Sequence, residues 1–378
     1  MPLQLEALPA QHGDSLLLHY GPETDPQIII IDGGPKGVYE SSLRPRLAEL
    51  KEERSPDDPM PVRLVMVSHI DEDHIFGILK LCDELSDAPG QRLIAVQELW
   101  HNAFTDVVGD EDDEYLKSES GPAKVSSTGD VLVKLDVHPR TEAIIASVPQ
   151  GKRLRETAEK LGWILNDERP LMKSGTGNDT IDAGGDLKLT ILGPSNARLI
   201  ALQKDWMKKV KEAQKKAEEA GAQTVEYQDT SPPNLASLIV LATDGKRKIL
   251  LTGDGRGDYI LEGIENAGLM EDGKFPVDVL KVPHHGSIRD LDTDFFERIP
   301  ASDYIISANG RFSNPDIPTL EMIVAVRGNA SYNIHLTYPV DQFNAAYDRQ
   351  RLQELIDESQ DKNYKIIPRD PNAKSVVV

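Results

Sequence analysis

Two histidines and two aspartates lie close together in the stretch Ser68 to Gly77, which reads S-H-I-D-E-D-H-I-F-G. They are His69, Asp71, Asp73 and His74. The apolar run Val62 to Val67 before them is typical of a buried strand, and Ile75 to Leu85 after them is predicted to form a helix. Open α/β sheets place ligands at such strand ends, and imidazole with carboxylate is a metal-binding combination. A solvated loop with an Asp cap on the next helix is the alternative.

Other predicted strands also end in potential ligands. Gln27 to Asp32 ends in Asp32-Gly33-Gly34, and Lys248 to Thr252 runs into Gly253-Asp254. Val277 to Val282 is followed by P-H-H-G-S, which contains His284, His285 and Ser287. We expect these side chains to share one rim, because carboxyl ends of parallel strands meet at one sheet edge.

Two further residues are more ambiguous. Asp14 follows Gly13 between two predicted strands, where a hairpin turn is the simpler interpretation. For Asp32-Gly33-Gly34, a simple turn explains the pattern as well as a ligand site does. His101 follows the predicted strand Arg92 to Trp100, and there a packed or capping histidine is the simpler interpretation.

Length and charge limit the class of protein. The 378 residues suffice for a single domain over 1–378, with a helical and loop insertion at about 103–188. The formal net charge of −21 argues against a surface that coats nucleic acid, although a local basic groove remains compatible with it. Cys82 is the only cysteine, which suits a reducing cytoplasm. No apolar run approaches the ~20 residues of a membrane span, so we expect a cytoplasmic protein without membrane contact.

Two segments allow more than one interpretation. Asn196 to Ala220 is predicted as a lysine-rich helix, which could line a path for a polyanion or be a solvated face with Glu/Lys pairs. The insertion could cover the substrate or dock a protein partner.

Taken in order, these motifs resemble those of metallo-β-lactamase-fold hydrolases, and more closely the hydrolase domain of ComEC-type competence proteins. That domain combines G-D-S, I-D-G-G, N-x-x-S, T-G-D and H-H-G-S. The matching segments here are Gly13 to Ser15, Ile31 to Gly34, Asn234 to Ser237, Thr252 to Asp254 and His284 to Ser287. The resemblance spans most of the chain but not the region 103–188.

The chain departs from the family pattern at three points. Asp71 replaces a histidine of the broader family, as it also does in the ComEC-like subgroup. Ser313-Asn314-Pro315 replaces the G-H-P of that subgroup, and Asn314 cannot transfer protons. The membrane segments of a competence channel are absent, so DNA uptake is not implied.

The resemblance implies an α/β fold, the four-layer αβ/βα sandwich of the metallo-β-lactamase type, with a dinuclear metal site at one edge. His69, Asp71 and one of His284 and His285 would bind one ion. Asp73, His74 and Asp254 would bind the other, with Asp254 able to bridge. We assign His284 as the ligand and give Asp73 and His285 catalytic roles, although the motif leaves the order of the two histidines open. Residues expected beside the ligands or substrate are Asp14, Asp32, Asn234, Ser237, Ser287 and Asn314.

The expected function is that of a metal-dependent hydrolase, most simply a phosphodiesterase or nuclease that uses a metal-activated hydroxide. The cofactors would be two divalent ions, Mn²⁺ or Zn²⁺ with Mg²⁺ possible, and the oxygen ligand Asp71 favours the harder ions. DNA or a nucleotide would be the substrate, and the acidic composition favours the smaller one. Hydrolysis of a lactone or thioester, or a non-catalytic binding module, remains open.

Overall fold

The computed structural model describes residues 3–102, 139–200 and 236–378, with side chains of the second range described from residue 150. Its strands are β1 (Gln4–Ala7), β2 (Leu16–Tyr20), β3 (Gln27–Ile31), β4 (Met60–Val62), β5 (Leu64–Met66), β6 (Ile94–Val96), β7 (Glu98–Trp100), β8 (Ile164–Leu165), β9 (Thr180–Gly184), β10 (Leu187–Gly193), β11 (Ile239–Thr243), β12 (Lys248–Leu251), β13 (Val277–Lys281), β14 (Ala301–Ile306), β15 (Tyr332–Leu336), β16 (Tyr364–Pro368) and β17 (Val376–Val377). Its α-helices are α1 (Arg44–Arg54), α2 (Glu72–Asp87), α3 (Pro139–Leu161), α4 (Gly257–Asn266), α5 (Thr293–Arg298), α6 (Ile317–Arg327) and α7 (Arg349–Ser359). Among these helices, none combines the length and apolar character that crossing a membrane requires.

The strands form two large sheets. A seven-stranded sheet has the order β17-β1-β2-β3-β5-β7-β8, and an eight-stranded sheet has the order β16-β15-β14-β13-β12-β11-β10-β9. Strands β3, β5 and β7 are parallel neighbours, as are β12, β13 and β14. Each sheet therefore presents several strand carboxyl ends at one edge, where the predicted ligands follow β5, β12 and β13.

The two sheets share one apolar core. Ile31 and Met66 of the first sheet pack in the same buried cluster as Val240, Leu251 and Val279 of the second. Complete burial of such a side chain stabilises the fold by about 1.5–3 kcal/mol. Sheet-to-sheet packing therefore fixes the two ligand-bearing edges relative to each other.

Helices cover the outer faces of both sheets. Leu47 of α1 and Ile78 of α2 belong to the same buried cluster as Ile30 of the first sheet. Ile260 of α4 and Phe295 of α5 belong to the cluster on the other face of the second sheet. The layer order is thus helix, sheet, sheet, helix, a mixed α/β sandwich.

Some predicted elements differ from the observed ones. The predicted strand Val62 to Val67 is two short strands, because β4 pairs with β6 while β5 pairs with β3 and β7. Near the C-terminal end of the chain, a 3₁₀ turn ends at Gln342 and α7 begins at Arg349. The Asp348 carboxylate accepts a hydrogen bond from the Arg351 amide at 2.9 Å and so starts that helix.

The segment predicted as an insertion contains parts of this core. Strand β8 lies at the edge of the first sheet, and β9 lies at the edge of the second. Leu154, Ala158 and Trp163 are buried with the helices of the first sheet. Residues 103–138 and 201–235 lie outside the described residues, and the second range includes most of the predicted lysine-rich helix Asn196 to Ala220. Single-domain organisation stays a prediction.

Candidate metal centre

The turn after β5 leads directly into helix α2. Asp71 is the residue that precedes the helix, and its carbonyl accepts from the amides of His74 at 2.9 Å and Ile75 at 3.0 Å. Its side chain makes no capping hydrogen bond. The alternative of a simple Asp cap therefore does not apply, and the Asp71 carboxylate faces the neighbouring side chains instead.

Two glycines bring this helix against the end of β3. The Gly77 amide donates to the Gly34 carbonyl at 3.0 Å, and the Gly33 amide donates to the His74 carbonyl at 2.8 Å. A Cβ atom on Gly77 would lie 1.9 Å from the Gly33 oxygen. Only glycine allows this approach, which places Asp32 beside His74.

The turn after β13 holds both histidines in an unusual backbone conformation. His284 has a φ of 48° and His285 a φ of 54°, in the left-handed region. Such residues cost about 1–3 kcal/mol each and persist only where the surroundings hold them. Here the His284 amide donates to the Gly253 carbonyl at 3.2 Å, and the His284 carbonyl accepts from Ser287 at 2.9 Å. This turn directs both imidazoles toward Asp254.

One oxygen of Asp254 faces a first group of donors. Its Oδ2 lies 3.8 Å from Nε2 of His69 and 3.6 Å from Nε2 of His284. Nε2 of His69 is also 3.8 Å from Oδ2 of Asp71. These four side chains form the first donor set.

The other oxygen of Asp254 faces a second group. Its Oδ1 lies 3.3 Å from Nε2 of His74 and 3.4 Å from Nε2 of His285. Asp73 adds Oδ2 at 3.6 Å from Nε2 of His285 and Oδ1 at 3.9 Å from Nε2 of His74. Asp73, His74, Asp254 and His285 form the second donor set, so the two histidines of the H-H-G-S motif serve different sets.

These donors fit divalent cations. Two donors at about 2.1 Å from one ion, at a tetrahedral angle, lie about 3.4 Å apart, close to the separations in both sets. Three buried donor atoms have no hydrogen-bond partner among the described residues: Nε2 of His69, Oδ1 of Asp71 and Oδ1 of Asp254. Orphaned buried polar atoms are costly, and a bound cation would satisfy them.

The donors also perturb one another's proton affinity. Burial lowers the pKa of His74, but the carboxylates of Asp254, Asp32 and Asp73 outweigh it and raise that pKa well above its usual value. Burial, with Asp73 and Asp254 nearby, raises the pKa of Asp71 to about 7. Burial lowers the pKa of His69 to about 3. Without a metal, protons on a few imidazoles would therefore offset the clustered carboxylates, and cations would displace those protons.

Acceptors behind the imidazoles hold their Nδ1 atoms. Nδ1 of His74 lies 2.8 Å from Oδ2 of Asp32, which also accepts from the Ser68 hydroxyl at 2.7 Å. Nδ1 of His285 lies 3.0 Å from the Ser307 carbonyl. Such partners fix the ring and leave Nε2 free to bind a metal.

Asp290 likewise holds the His284 ring in place, because its Oδ2 lies 2.5 Å from Nδ1 of that ring. Sequence reasoning missed Asp290 and Ser307, because an isolated Asp in a loop and a backbone carbonyl give no sequence signal.

Asp14 lies behind the centre in an ion pair with Lys281, and both side chains are 1% exposed. Its Oδ1 is 3.4 Å from Nδ1 of His285, the side of the ring that faces away from Asp254. Asp14 also belongs to a group with His74, Asp254 and His285 that could hold a metal. We assign Asp14 to the residues that support the imidazoles and not to the donor sets, because it lies next to their Nδ1 atoms. Lys281 was missed, since it is part of an ordinary strand pattern.

The remaining predicted residues lie in different surroundings. Ser237 accepts a hydrogen bond from the Asp254 amide at 3.3 Å. Ser287 is buried beside His284, and Asn314 is half-buried before a cis proline. His101 is buried, its backbone bonds to Asn166, and it belongs to neither donor set. Asn234 lies outside the described residues.

Comparison with known proteins adds little to this geometry. No family model and no curated protein matches the chain. One similar solved structure is a mutant of CmlA beta-hydroxylase, with 11% sequence identity and a TM-score of 0.39 over 100% of this chain and 54% of that chain. The chain thus spans about half the length of that protein. Because so loose a likeness carries no argument about chemistry, the possible function rests on the His/Asp centre itself.

Proposed function

We propose that the chain is a metal-dependent hydrolase that cleaves phosphodiesters at a dinuclear centre, on a fold of the metallo-β-lactamase type. One observation carries the proposal: the two oxygens of Asp254 face two neighbouring groups of imidazole and carboxylate donors. A bridging carboxylate between two such groups is suited to a pair of ions, and paired ions serve displacement at phosphorus. The layer order of helix, sheet, sheet, helix supports the fold assignment.

Each donor set would hold one ion, with Asp254 common to both. His69, Asp71 and His284 complete the first set, and Asp73, His74 and His285 complete the second. This assignment makes His285 a ligand in addition to His284. The three aspartates supply hard oxygen ligands, so Mn²⁺ or Mg²⁺ is favoured over Zn²⁺.

Bound cations would acidify a water molecule and neutralise charge that develops on the phosphoryl oxygens. The chain's own residues prepare that chemistry. Asp71 and Asp73 are about a quarter exposed, with side-chain exposures of 23% and 24%, whereas Asp254 is 3% exposed. Substrate and water therefore approach from the Asp71 and Asp73 side, where the Asp73 carboxylate accepts a hydrogen bond from the attacking water and orients it. Asp32 keeps Nε2 of His74 free by holding its Nδ1.

The test is hydrolysis of bis-p-nitrophenyl phosphate by chelator-stripped protein, with Mn²⁺, Mg²⁺ or Zn²⁺ added back. We expect turnover with Mn²⁺ and its loss in Asp254→Asn. Asp303→Asn is the matched control, because Asp303 also binds a histidine, His335 at 2.8 Å, but lies in neither donor set. No turnover with any metal, despite stoichiometric binding, would redirect the assignment to lactones, thioesters or a binding module.

The net charge of −21 favours a small phosphodiester over a long nucleic acid. A polymer substrate would lose affinity with a slope of about 0.7–0.9 log units per log unit of salt for each phosphate neutralised, whereas a nucleotide would respond weakly. DNA and nucleotide substrates are thus separable by salt titration. A cytoplasmic location and a protein partner on the region 103–188 stay predictions.

A further inference from the structure

Phe312 is an aromatic side chain that the fold leaves in solvent. It is 69% exposed, more than the other exposed large hydrophobic side chains in the described residues. Its backbone φ is 57°, and Ser313 follows with a φ of 69°. A bulky residue in the left-handed region is an outlier, and such strain clusters at active sites and ligand clamps.

The loop that carries Phe312 is firmly anchored. The Gly310 amide donates to the Asn314 carbonyl at 2.9 Å, and the Tyr347 hydroxyl donates to the Pro315 carbonyl at 2.6 Å. A Cβ atom on Gly310 would lie 2.8 Å from Cβ of Tyr347, so the loop packs closely on that ring. The exposed ring is therefore held in place by the residues on either side of it.

Phe312 stands at the rim of the metal centre. Its ring meets His12 edge-on, with centroids 5.3 Å apart and an interplanar angle of 88°. His12 precedes Gly13 and Asp14, and the Asp14 amide donates to the Asp73 carbonyl at 3.2 Å. The charges of Asp73, His74 and His285 all act on His12. The His12 and Phe312 pair thus adjoins the second donor set.

Arg311 adds a positive charge at the same place. Its guanidinium carbon lies 5.0 Å from the Phe312 ring centroid, and Nη1 lies 3.5 Å from Nδ1 of His12. Arg311 is exposed, and within the described residues its guanidinium contacts the His12 imidazole and forms no ion pair with a carboxylate. In a chain of net charge −21, an available guanidinium beside the centre is well suited to an anionic ligand, and guanidinium binds phosphate with paired hydrogen bonds.

We propose that Arg311 and Phe312 form a clamp that binds a nucleoside phosphate, with the phosphate on Arg311 and the base stacked on Phe312. The clamp makes a nucleotidyl phosphodiester the substrate class of the centre, and so it rests on the proposed function. Aromatic rings bind bases of any sequence by stacking. Both clamp residues contact His12, whose loop is hydrogen-bonded to Asp73 of the second donor set. Nucleotides and nucleic-acid ends share this chemistry.

The first experiment compares two esters with the same leaving group. Thymidine 5′-(p-nitrophenyl phosphate) carries a base, and methyl p-nitrophenyl phosphate does not. We expect the wild type to prefer the thymidine ester, Phe312→Ala to reduce that preference about tenfold or more, and Phe312→Tyr to keep it. Arg311→Gln should weaken both esters, and Arg311→Lys should weaken them less. Ile367→Ala is the control, an exposed apolar side chain on β16.

Each outcome decides one question. Equal hydrolysis of both esters, unchanged in Phe312→Ala, overturns the clamp and leaves the phosphodiesterase standing. If neither ester is hydrolysed, the proposed function fails and calorimetric binding of thymidine 5′-monophosphate decides the clamp. Tenfold weaker binding to Phe312→Ala supports it, and equal or absent binding overturns it. Competition by the monophosphate and by a 20-nucleotide single strand, at low and high salt, shows whether the clamp binds a free nucleotide or the end of a nucleic acid.

Discussion

Replacing Gly77 by alanine should damage both the fold and the metal centre. The added Cβ would lie 1.9 Å from the Gly33 oxygen, whereas an ordinary carbon–oxygen contact needs about 3.3 Å. Since the obstacle is backbone, α2 and the end of β3 would have to separate by about 1.4 Å. That movement breaks the Gly77-to-Gly34 and Gly33-to-His74 bonds and the contact between His74 and Asp32.

Three hydrogen bonds at about 0.5–1.5 kcal/mol each give about 1.5–4.5 kcal/mol, and the better helix propensity of alanine returns up to about 1 kcal/mol. We expect a net loss of about 0.5–4.5 kcal/mol in the free energy of unfolding, with Mn²⁺ affinity reduced. Urea unfolding and calorimetric titration would measure both. Gly90→Ala is the control, because a Cβ there meets no atom within 4 Å. A Gly77→Ala protein with unchanged stability and metal affinity would refute the reasoning.

Three other predictions concern charged side chains in or beside the candidate centre. The pKa of Asp71 is about 7 when folded and about 3.9 when unfolded, so its ionisation should make the metal-free protein less stable as pH rises from 4 to 7. Asp71→Asn should remove part of that slope in urea titrations, and an unaltered slope would contradict the assignment. Lys281→Met removes the ammonium partner of the buried Asp14 carboxylate, which should cost about 3–5 kcal/mol, partly recovered by Asp14→Asn in the same chain. Asp290→Asn should weaken metal binding about 10–100-fold through His284, and unchanged affinity would exclude that role.

The turns that carry the candidate ligands could be located from the sequence, because each follows an apolar strand and contains residues of a type that binds metals. His69 and Asp254 were recognisable in this way. The division of His284 and His285 between two donor sets was not, because it depends on a left-handed backbone at both residues. Lys281 could not be singled out either, since its partner Asp14 is distant in the chain and a strand pattern does not reveal which side chain is paired.

The candidate centre combines donors within residues 69–74, at the edge of the first sheet, with Asp254, His284 and His285 at the edge of the second. Ions shared by these residues would act as crosslinks between two halves of a chain that has one cysteine and so forms no internal disulfide. Such a crosslink closes a loop of well over a hundred residues, the kind of constraint that most restricts the unfolded chain. Removing such ions would then loosen the packing of sheet on sheet as well as abolish the proposed activity.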